Sequence, residues 1–451
     1  MVSRRDVIGM AGAVAIGALS GARLGGAEGG RRPNIILILS DDQGSIDLNC
    51  YGAKDLITPN LDALAGRGVR FTQFYAAGAM CSPSRAGILT GQYPQRVGMA
   101  GNAASQPEPG GMRVDAMTIA EMLKAAGYVT GHVGKWHLGY SPQTMPNARG
   151  FDYSFGFMGG CIDNYSHFYY WGGPNRHDLW RQGKEVWHEG EYFGDLCVRE
   201  CKQFIEQNKN RPFFLYYAIN KPHYPLQGTR KWRERYKDLP EPRNMYAASI
   251  STLDEEIGQV LAKVQELGLA NDTIVIFQSD QGHSTEDRSF GGGGDAGRYR
   301  GAKGCFFEGG IRIPAMISWP GKLPAGEVRG QMCTGCDWMP TIAELCGAKA
   351  PGRPVDGRSM VRVIRDAMAL SAHEAFHWAM GNQWAVRQGD WKLLGNLTDP
   401  SKKAAIGAED KLYLVNLAED AEEMKNLAKA NPQRAAELLR LHEQWATDVK
   451  G

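Results

Sequence analysis

The sequence predicts an α/β sandwich followed by a smaller C-terminal unit. Three observations carry this reading. Short apolar runs recur and stop at charged residues, helical patterns lie between them, and the character of the chain changes from about Pro354. The first run, NIILILSDD from Asn34, is continuously apolar from Ile35 to Leu39 and ends at Asp41 and Asp42. That is the pattern of a strand buried on both faces. YVTGHVGKWHLG from Tyr128, RPFFLYYAINKPHYP from Arg211 and DTIVIFQSDQGH from Asp272 repeat the theme, each stopping at a Lys, His or Asp. Helical patterns occupy residues 60–67, 118–126, 194–207 and 247–267. In such sheets ligand-binding groups gather at the carboxyl ends of the strands, so these polar clusters are expected to converge. The spacing divides the chain into a main domain over residues 33–353 and an α+β unit over 354–451. AVRQGDWKLLG and KLYLVNLAEDAEEMKNLA read as short antiparallel strands, and PQRAAELLRLHEQWATDVK as a closing amphipathic helix. The glycine-rich loop 290–304 is expected to be mobile or packed close to a ligand.

A length of 451 residues with 43% hydrophobic and 22% charged residues suits a globular protein with more than one core. The formal net charge of +2 argues against a dedicated nucleic-acid binder. Past the N-terminus no apolar run reaches the length of a membrane span. The N-terminus itself pairs Arg4 with Arg5 ahead of a mildly apolar run from Val7 to Leu19, then small residues with candidate cleavage after Ala22 or Ala27. Residues 1–27 thus look like a twin-arginine export signal, which predicts a periplasmic or extracellular protein exported already folded. A short N-terminal helix is the alternative, but it lacks caps.

Nine cysteines in an exported chain invite disulfides, although the sequence cannot pair them. Cys333 and Cys336 have no second pair at zinc-ribbon spacing. Cys81 is the odd one. It is followed by Ser82-Pro83-Ser84-Arg85, which is neither an apolar setting nor one with a neighbouring His or Lys to make a thiolate.

Asp41 and Asp42 repel each other unless a cation lies near, and Asp280 with Gln281 ends another strand of the same sheet. Together they make an all-oxygen set suited to a hard cation, calcium or magnesium, rather than zinc; singly, each pair reads as well as helix caps or surface acids. Arg85, Lys135 and Lys303 supply positive charge, and His137, His223 and His283 lie near strand ends or loops. A pocket lined by cations and holding a metal implies an anionic substrate, a phosphoryl or sulfuryl ester. Residues 159–180 concentrate Tyr165, His167, Tyr169, Tyr170, Trp171 and Trp180, which suit stacking on a sugar ring or form an aromatic patch under a long loop.

The stretch Cys81-x-Pro83-x-Arg85 through Thr90-Gly91 resembles the signature of the formylglycine-dependent sulfatases. GHVGKWHLG resembles their second signature, and NIILILSDD, KPHYP, SDQGH, RGAKGCFFEGGIRIPAMISWPG and LYLVNLAEDAEEMKNLA follow in the family's order. The resemblance runs from about Pro33 to the last helix. It implies an alkaline-phosphatase-like α/β/α sandwich with a large mixed, mostly parallel sheet, and hydrolysis of a sulfate ester, best matched to a sulfated carbohydrate. It further implies that a maturation enzyme oxidises Cys81 to formylglycine, whose hydrate offers one hydroxyl to attack sulfur and a second to expel sulfate. By the same resemblance Asp41, Asp42, Asp280 and Gln281 hold calcium together with the residue-81 oxygen. Arg85 and Lys135 fix the diol, His223 protonates the leaving alcohol, Lys303 contacts sulfate, and His137 takes the last proton. The family commonly has Asn or His at the position of Gln281, a departure of one methylene. The rival readings are a phosphodiester or phosphonate monoester hydrolase of the same superfamily, and a sulfated-glycan binder without maturation of Cys81.

Overall fold

The computed structural model describes residues 32–349, 352 and 355–449. The expected export signal and the expected boundary at 353/354 lie outside the described residues. Strands β1 (Asn34–Asp41), β2 (Val69–Phe71), β3 (Val129–Lys135), β4 (Tyr153–Phe157), β5 (Trp180–Arg181), β6 (Lys184–Glu185), β7 (Phe213–Pro222), β8 (Thr273–Ser279), β9 (Ala315–Ser318) and β10 (Glu327–Arg329) form one sheet. Their order is β10-β2-β9-β8-β1-β7-β3-β4-β5-β6. The centre, β8-β1-β7-β3-β4, is parallel throughout. Antiparallel pairings are confined to β9, β5 and β6 and their neighbours. This is the mixed, mostly parallel sheet that the resemblance implied.

The continuous apolar run of β1 has a simple cause. Successive side chains of a strand point to opposite faces, and both faces here are covered. Ile35, Leu37 and Leu39 enter one core with helices α2 (Cys81–Thr90) and α3 (Ile119–Ala125). Ile36 and Ile38 enter the other with α1 (Pro59–Gly66), α4 (Phe193–Asn208) and α5 (Arg243–Glu266). Each fully buried aliphatic side chain contributes roughly 2 kcal/mol, so one strand anchors both layers. The α3 helix starts where Thr118 and Glu121 make a capping box: Glu121 N donates to Thr118 Oγ1 at 3.1 Å, and Thr118 N to Glu121 Oε2 at 2.7 Å.

Near the C-terminus, β11 (Ala375–Met380), β12 (Gln383–Gln388), β13 (Trp391–Gly395) and β14 (Leu412–Asn416) pair antiparallel in sequence order. Alternation again divides them. Leu393 and Leu414 face helix α6 (Pro432–Asp448) through Leu438, whereas Trp378 and Leu394 face Tyr75 and Phe307 of the main sheet's side. The small sheet with its helix is as expected, and from Arg32 on the described chain is one compact unit.

The loop 290–304 is packed at its C-terminal end, residues 300–303, while Phe290 at its start is exposed. Its Arg300 is fully buried and donates to Asp399 Oδ2 at 2.6 Å, Tyr413 OH at 3.2 Å and the Glu423 carbonyl at 3.1 Å. All nine cysteines are free thiols, and Cys333 and Cys336 enter two different apolar cores, so neither a disulfide nor a zinc site forms there. Among the described residues no helix is long and apolar enough to cross a membrane.

Candidate active site

Because β1, β3, β7 and β8 are parallel neighbours, their carboxyl ends deliver Asp41, Lys135, His223 and Asp280 to one edge. Asp42 follows β1 in the left-handed conformation (φ 63°), which turns the chain, and its N–H donates to Asp280 Oδ1 at 3.1 Å. Gln43 N donates to Ser279 Oγ at 3.1 Å, so β1 and β8 are tied together just beyond their ends. Cys81 is the first residue of α2, with Met80 extended before it. Every residue from Cys81 to Thr90 is buried.

The cluster is a web of charge. Arg85 donates through Nε at 3.1 Å and Nη2 at 2.9 Å to Asp280 Oδ2, and through Nη1 at 3.0 Å to the Lys135 carbonyl. Its Nη2 also lies 3.4 Å from Asp41 Oδ1. Lys135 Nζ donates to Asp41 Oδ2 at 2.6 Å and to Cys81 Sγ at 3.4 Å. Lys303 Nζ donates to Asp42 Oδ2 at 2.8 Å. Cys81 Sγ lies 3.6 Å from both Asp41 Oδ1 and Gln281 Nε2. Three buried acids thus face three buried cations.

His223 accompanies them, with Nε2 at 3.7 Å from Asp42 Oδ2. Its Nδ1 sits 2.8 Å from the Tyr224 carbonyl, which fixes the proton on Nδ1 and leaves Nε2 facing the cluster. Burial, then the Lys135 charge, holds His223 well below its usual value and therefore neutral. His137 is buried for the same reasons and also neutral. Its Nε2 is 3.2 Å from the Ala103 carbonyl and its Nδ1 has no partner. His283 stands apart: its carbonyl accepts from Lys303 N at 2.9 Å, but its ring packs on Gly294.

Burial drives the Cys81 thiol up to about 12 against the pull of Lys135 and Lys303, so residue 81 as cysteine is a neutral thiol. Burial and the adjoining Asp41 charge push Asp280 up to about 7. Burial opposes the charge on Asp41 too, but the Lys135 and Arg85 cations outweigh it and hold that carboxyl well below the usual range.

The residues fit a hard cation. Ligand atoms of Asp41, Asp42, Cys81 and His223 lie within 4.8 Å of one another. The Gln281 amide donates Nε2 to Asp42 Oδ1, which leaves Oε1 buried and unpartnered. With a cation between the carboxylates the amide would turn its oxygen inward, because an orphaned buried carbonyl is costly. Asp280 is outside the group of Asp41, Asp42, Cys81 and His223, its Oδ2 taken by Arg85 and its Oδ1 by the Asp42 N–H. With Asp280 and the Gln281 oxygen counted in, oxygens outnumber the one nitrogen and one sulfur, which favours calcium or magnesium chemistry over zinc.

Sequence reasoning missed the backbone scaffold under Cys81. Ser82 N donates to Asn102 Oδ1 at 3.1 Å, and Ser82 Oγ donates to the His137 carbonyl at 2.6 Å while accepting from Ala103 N at 2.9 Å. Asn102 lies in a stretch of small and polar residues that carries no periodic signal. Ser84 Oγ likewise donates to the Asp280 carbonyl.

Comparison with known proteins agrees with this geometry. Residues 33–348 match the Sulfatase family, and residues 297–448 match the family described as N-sulphoglucosamine sulphohydrolase, C-terminal. The chain is 32% identical over 436 residues to arylsulfatase A of Homo sapiens, covering 88% of this chain and 83% of that protein. It is 34% identical over 416 residues to N-acetylgalactosamine-6-sulfatase of Canis lupus familiaris, covering 82% and 77%. Among solved structures, that of Ps i-CgsB in complex with k-i-k-neocarrahexaose matches with a TM-score of 0.83 and 31% identity, over 92% of this chain and 93% of that one. The chain belongs to the sulfatase family, with its alkaline-phosphatase-like fold, and is a sulfuric ester hydrolase.

Proposed function

We propose that this protein removes sulfate from a sulfated carbohydrate, using residue 81 as formylglycine beside a calcium ion. The observation that carries the proposal is the position of Cys81. It opens α2 within 3.4 Å of Lys135 and 3.6 Å of Asp41 and Gln281, yet its thiol is pushed up to about 12 and is not a thiolate. A thiolate enzyme would lower that value. Oxidised to an aldehyde and hydrated, residue 81 supplies a hydroxyl that attacks sulfur and a second that releases sulfate. Asp41, Asp42, Asp280 and Gln281 would hold the calcium ion, whose charge would offset that of a bound sulfate and favour ionisation of a hydroxyl beside it.

The chain's own groups do the rest. Arg85 locks Asp280 and the Lys135 backbone, which keeps the acids in place as charge moves. Lys135 holds the residue-81 side chain and Lys303 meets sulfate from the Asp42 side. His223 presents Nε2 toward the leaving oxygen, and His137 keeps Nδ1 open to receive a proton. The helix start at residue 81 aims backbone N–H groups and the positive end of α2 at an anion.

Since Cys81 to Arg85 are buried, a maturation enzyme reading that stretch must meet the chain before it folds. Arg4 and Arg5 ahead of an apolar run support later export of the folded product by the twin-arginine route. A carbohydrate substrate is supported by the aromatic segment 159–180, and by the saccharide-directed names of two of the similar proteins. The main domain over residues 33–353 would hold the chemistry and the unit from 354 would brace it.

The test is sulfate release, followed by ion chromatography, from matured protein on defined sulfated saccharides, with matched aryl sulfate and aryl phosphate. Release from a saccharide and a preference for aryl sulfate is the expected result. Faster phosphate than sulfate release would favour the phosphohydrolase reading. Release from aryl sulfate but from no saccharide would remove carbohydrate as the substrate class.

A further inference from the structure

Beside the cluster lies a cavity of about 690 Å³ whose lining includes Phe168, Tyr170, Asn175, Leu226, Arg288 and Phe290. That volume is in the range of small-ligand sites. One charged group here is held with unusual care. The Arg288 guanidinium carbon lies 4.4 Å from the Trp171 ring centroid and 4.7 Å from that of Tyr224, so it is gripped by two aromatic rings. Its Nε donates to Glu286 Oε1 at 2.9 Å and its Nη2 donates to the same oxygen, while Nη1 makes no hydrogen bond among the described residues. Trp171 is nevertheless 46% exposed and Phe290 is 69% exposed, with Phe290 in the left-handed conformation at φ 55°. Bulky residues in that conformation are rare outside sites that use them.

The same network reaches the chemistry. Glu286 Oε2 lies 3.7 Å from Lys303 Nζ, and Lys303 Nζ lies 5.9 Å from the Tyr224 ring centroid. Both cations lie near the Tyr224 ring, Arg288 at 4.7 Å and Lys303 at 5.9 Å from its centroid, so Tyr224 and Glu286 together connect the cavity lining to the cluster. Lys303 is balanced by Asp42 at 2.8 Å, so Glu286 serves chiefly as the counter-ion of Arg288, whose Nη1 remains free to donate. Asp163, also in the lining, is occupied by N–H groups of Tyr165 at 3.0 Å and Ser166 at 2.8 Å and by Gln227 Nε2 at 2.7 Å.

We propose that Arg288 is a second anion-recognition point, binding an acidic group on a sugar next to the one that carries the scissile sulfate. This rests on the carbohydrate reading above and narrows it to saccharides with a further negative charge, a sulfate or a carboxylate. The aromatic grip pre-orders the fork and spares the entropy a free arginine loses on binding, while Phe290 and Tyr170 offer apolar faces to the ring itself.

The experiment is calorimetric binding to full-length Cys81→Ala protein of three disaccharides. All share one sulfated sugar, and the neighbouring sugar is neutral, sulfated or a uronate. The acidic neighbours are expected to bind tighter than the neutral one, and the better of the two names the source of the charge. Arg288→Ala in the same background should weaken the favoured acidic disaccharide about tenfold and the neutral one far less, with Arg288→Lys in between. Equal weakening of all three, or no advantage of either acidic neighbour, overturns the proposal. Sulfate release by matured wild type is measured alongside. Release without acidic preference sinks the role of Arg288 alone, whereas no release from any saccharide sinks the carbohydrate reading.

Discussion

Lys303 lies at the end of the loop 290–304 and Glu308 opens the short helix that follows it, and each enters a different cluster of buried charge. Around Glu308 the charges meet in close ion pairs, and the one carboxylate oxygen short of a hydrogen bond, Glu423 Oε1, has Lys392 Nζ at 2.9 Å. Lys392 Nζ lies 2.9 Å from both Glu308 Oε1 and Glu423 Oε1, Arg312 lies 3.2 Å from Glu308 Oε2, and Tyr75 OH donates to that oxygen at 2.7 Å. Around Asp42, Gln281 Oε1 and His137 Nδ1 are left without partners, and three acids crowd together. Both clusters are equally dry, so burial alone does not mark function. What separates them is pairing: the Glu308 cluster joins β13 of the small sheet to the main body through close ion pairs, while around Asp42 the Gln281 amide oxygen and His137 Nδ1 are left without partners.

The contrast breaks first at residue 81. Cys81→Ala should lower kcat/KM by more than ~10⁴-fold, as loss of a nucleophile does, and shift Tm by only a few degrees, read by steady-state kinetics and calorimetry. Lys392→Met should do the reverse. Stranding Glu308 and Glu423 should cost about 3–5 kcal/mol in denaturant unfolding, with kcat per folded molecule retained. If Lys392→Met abolished turnover in fully folded protein, the Glu308 cluster would not be merely structural.

Metal removal sharpens the same line. A calcium chelator should destabilise wild type by about 2–3 kcal/mol relative to calcium at a hundred times its dissociation constant, and this increment should vanish in Asp280→Asn. A calcium increment that survives Asp280→Asn would place the ion elsewhere.

The Glu308 cluster should also carry a pH signature in saturating calcium. Burial, and then the Glu308 charge, pushes Glu423 up to about 7 against the pull of Lys392. Burial opposes Glu308 as well, but Lys392, Arg312 and Arg387 outweigh it and hold that carboxyl down to about 2. A raised carboxyl contributes stability below its unfolded value of 4.5 that is lost as pH climbs through about 7. A lowered one contributes above 4.5 and is lost as pH falls toward about 2. Denaturant unfolding should therefore show stability declining by on the order of 1–2 kcal/mol from about pH 5 to about pH 8, a slope weakened in Glu423→Gln. The smallest effect is expected at the fourth oxygen ligand. Gln281→Asn should change calcium affinity by about tenfold at most in a calcium titration, since an amide oxygen remains.

Much of this was legible in the residues. The unbroken run Ile35–Leu39 announced a strand covered on both faces, and the acids behind it announced the site, because parallel strands must end together. Strands β2, β9 and β10 escaped notice: three or four residues are too few for a period to show. The Glu308–Lys392–Glu423 cluster was invisible for another reason. Its members are far apart in sequence, and a buried lysine looks like any other lysine until its partners are known. Asn102 and Arg288 lie in loops whose placement depends on tertiary packing. His283 drew attention by sitting beside Asp280 and Gln281, but the turn carries its ring away.

The account stands or falls on the chemical state of residue 81. Peptide mapping by mass spectrometry of fully active protein, before and after hydrazine, reads it directly. The account predicts a residue-81 peptide that has lost its sulfur, forms a hydrazone, and whose abundance tracks specific activity across preparations. Full activity in protein whose residue 81 is an unmodified thiol, unaffected by hydrazine and abolished by alkylation, would contradict it.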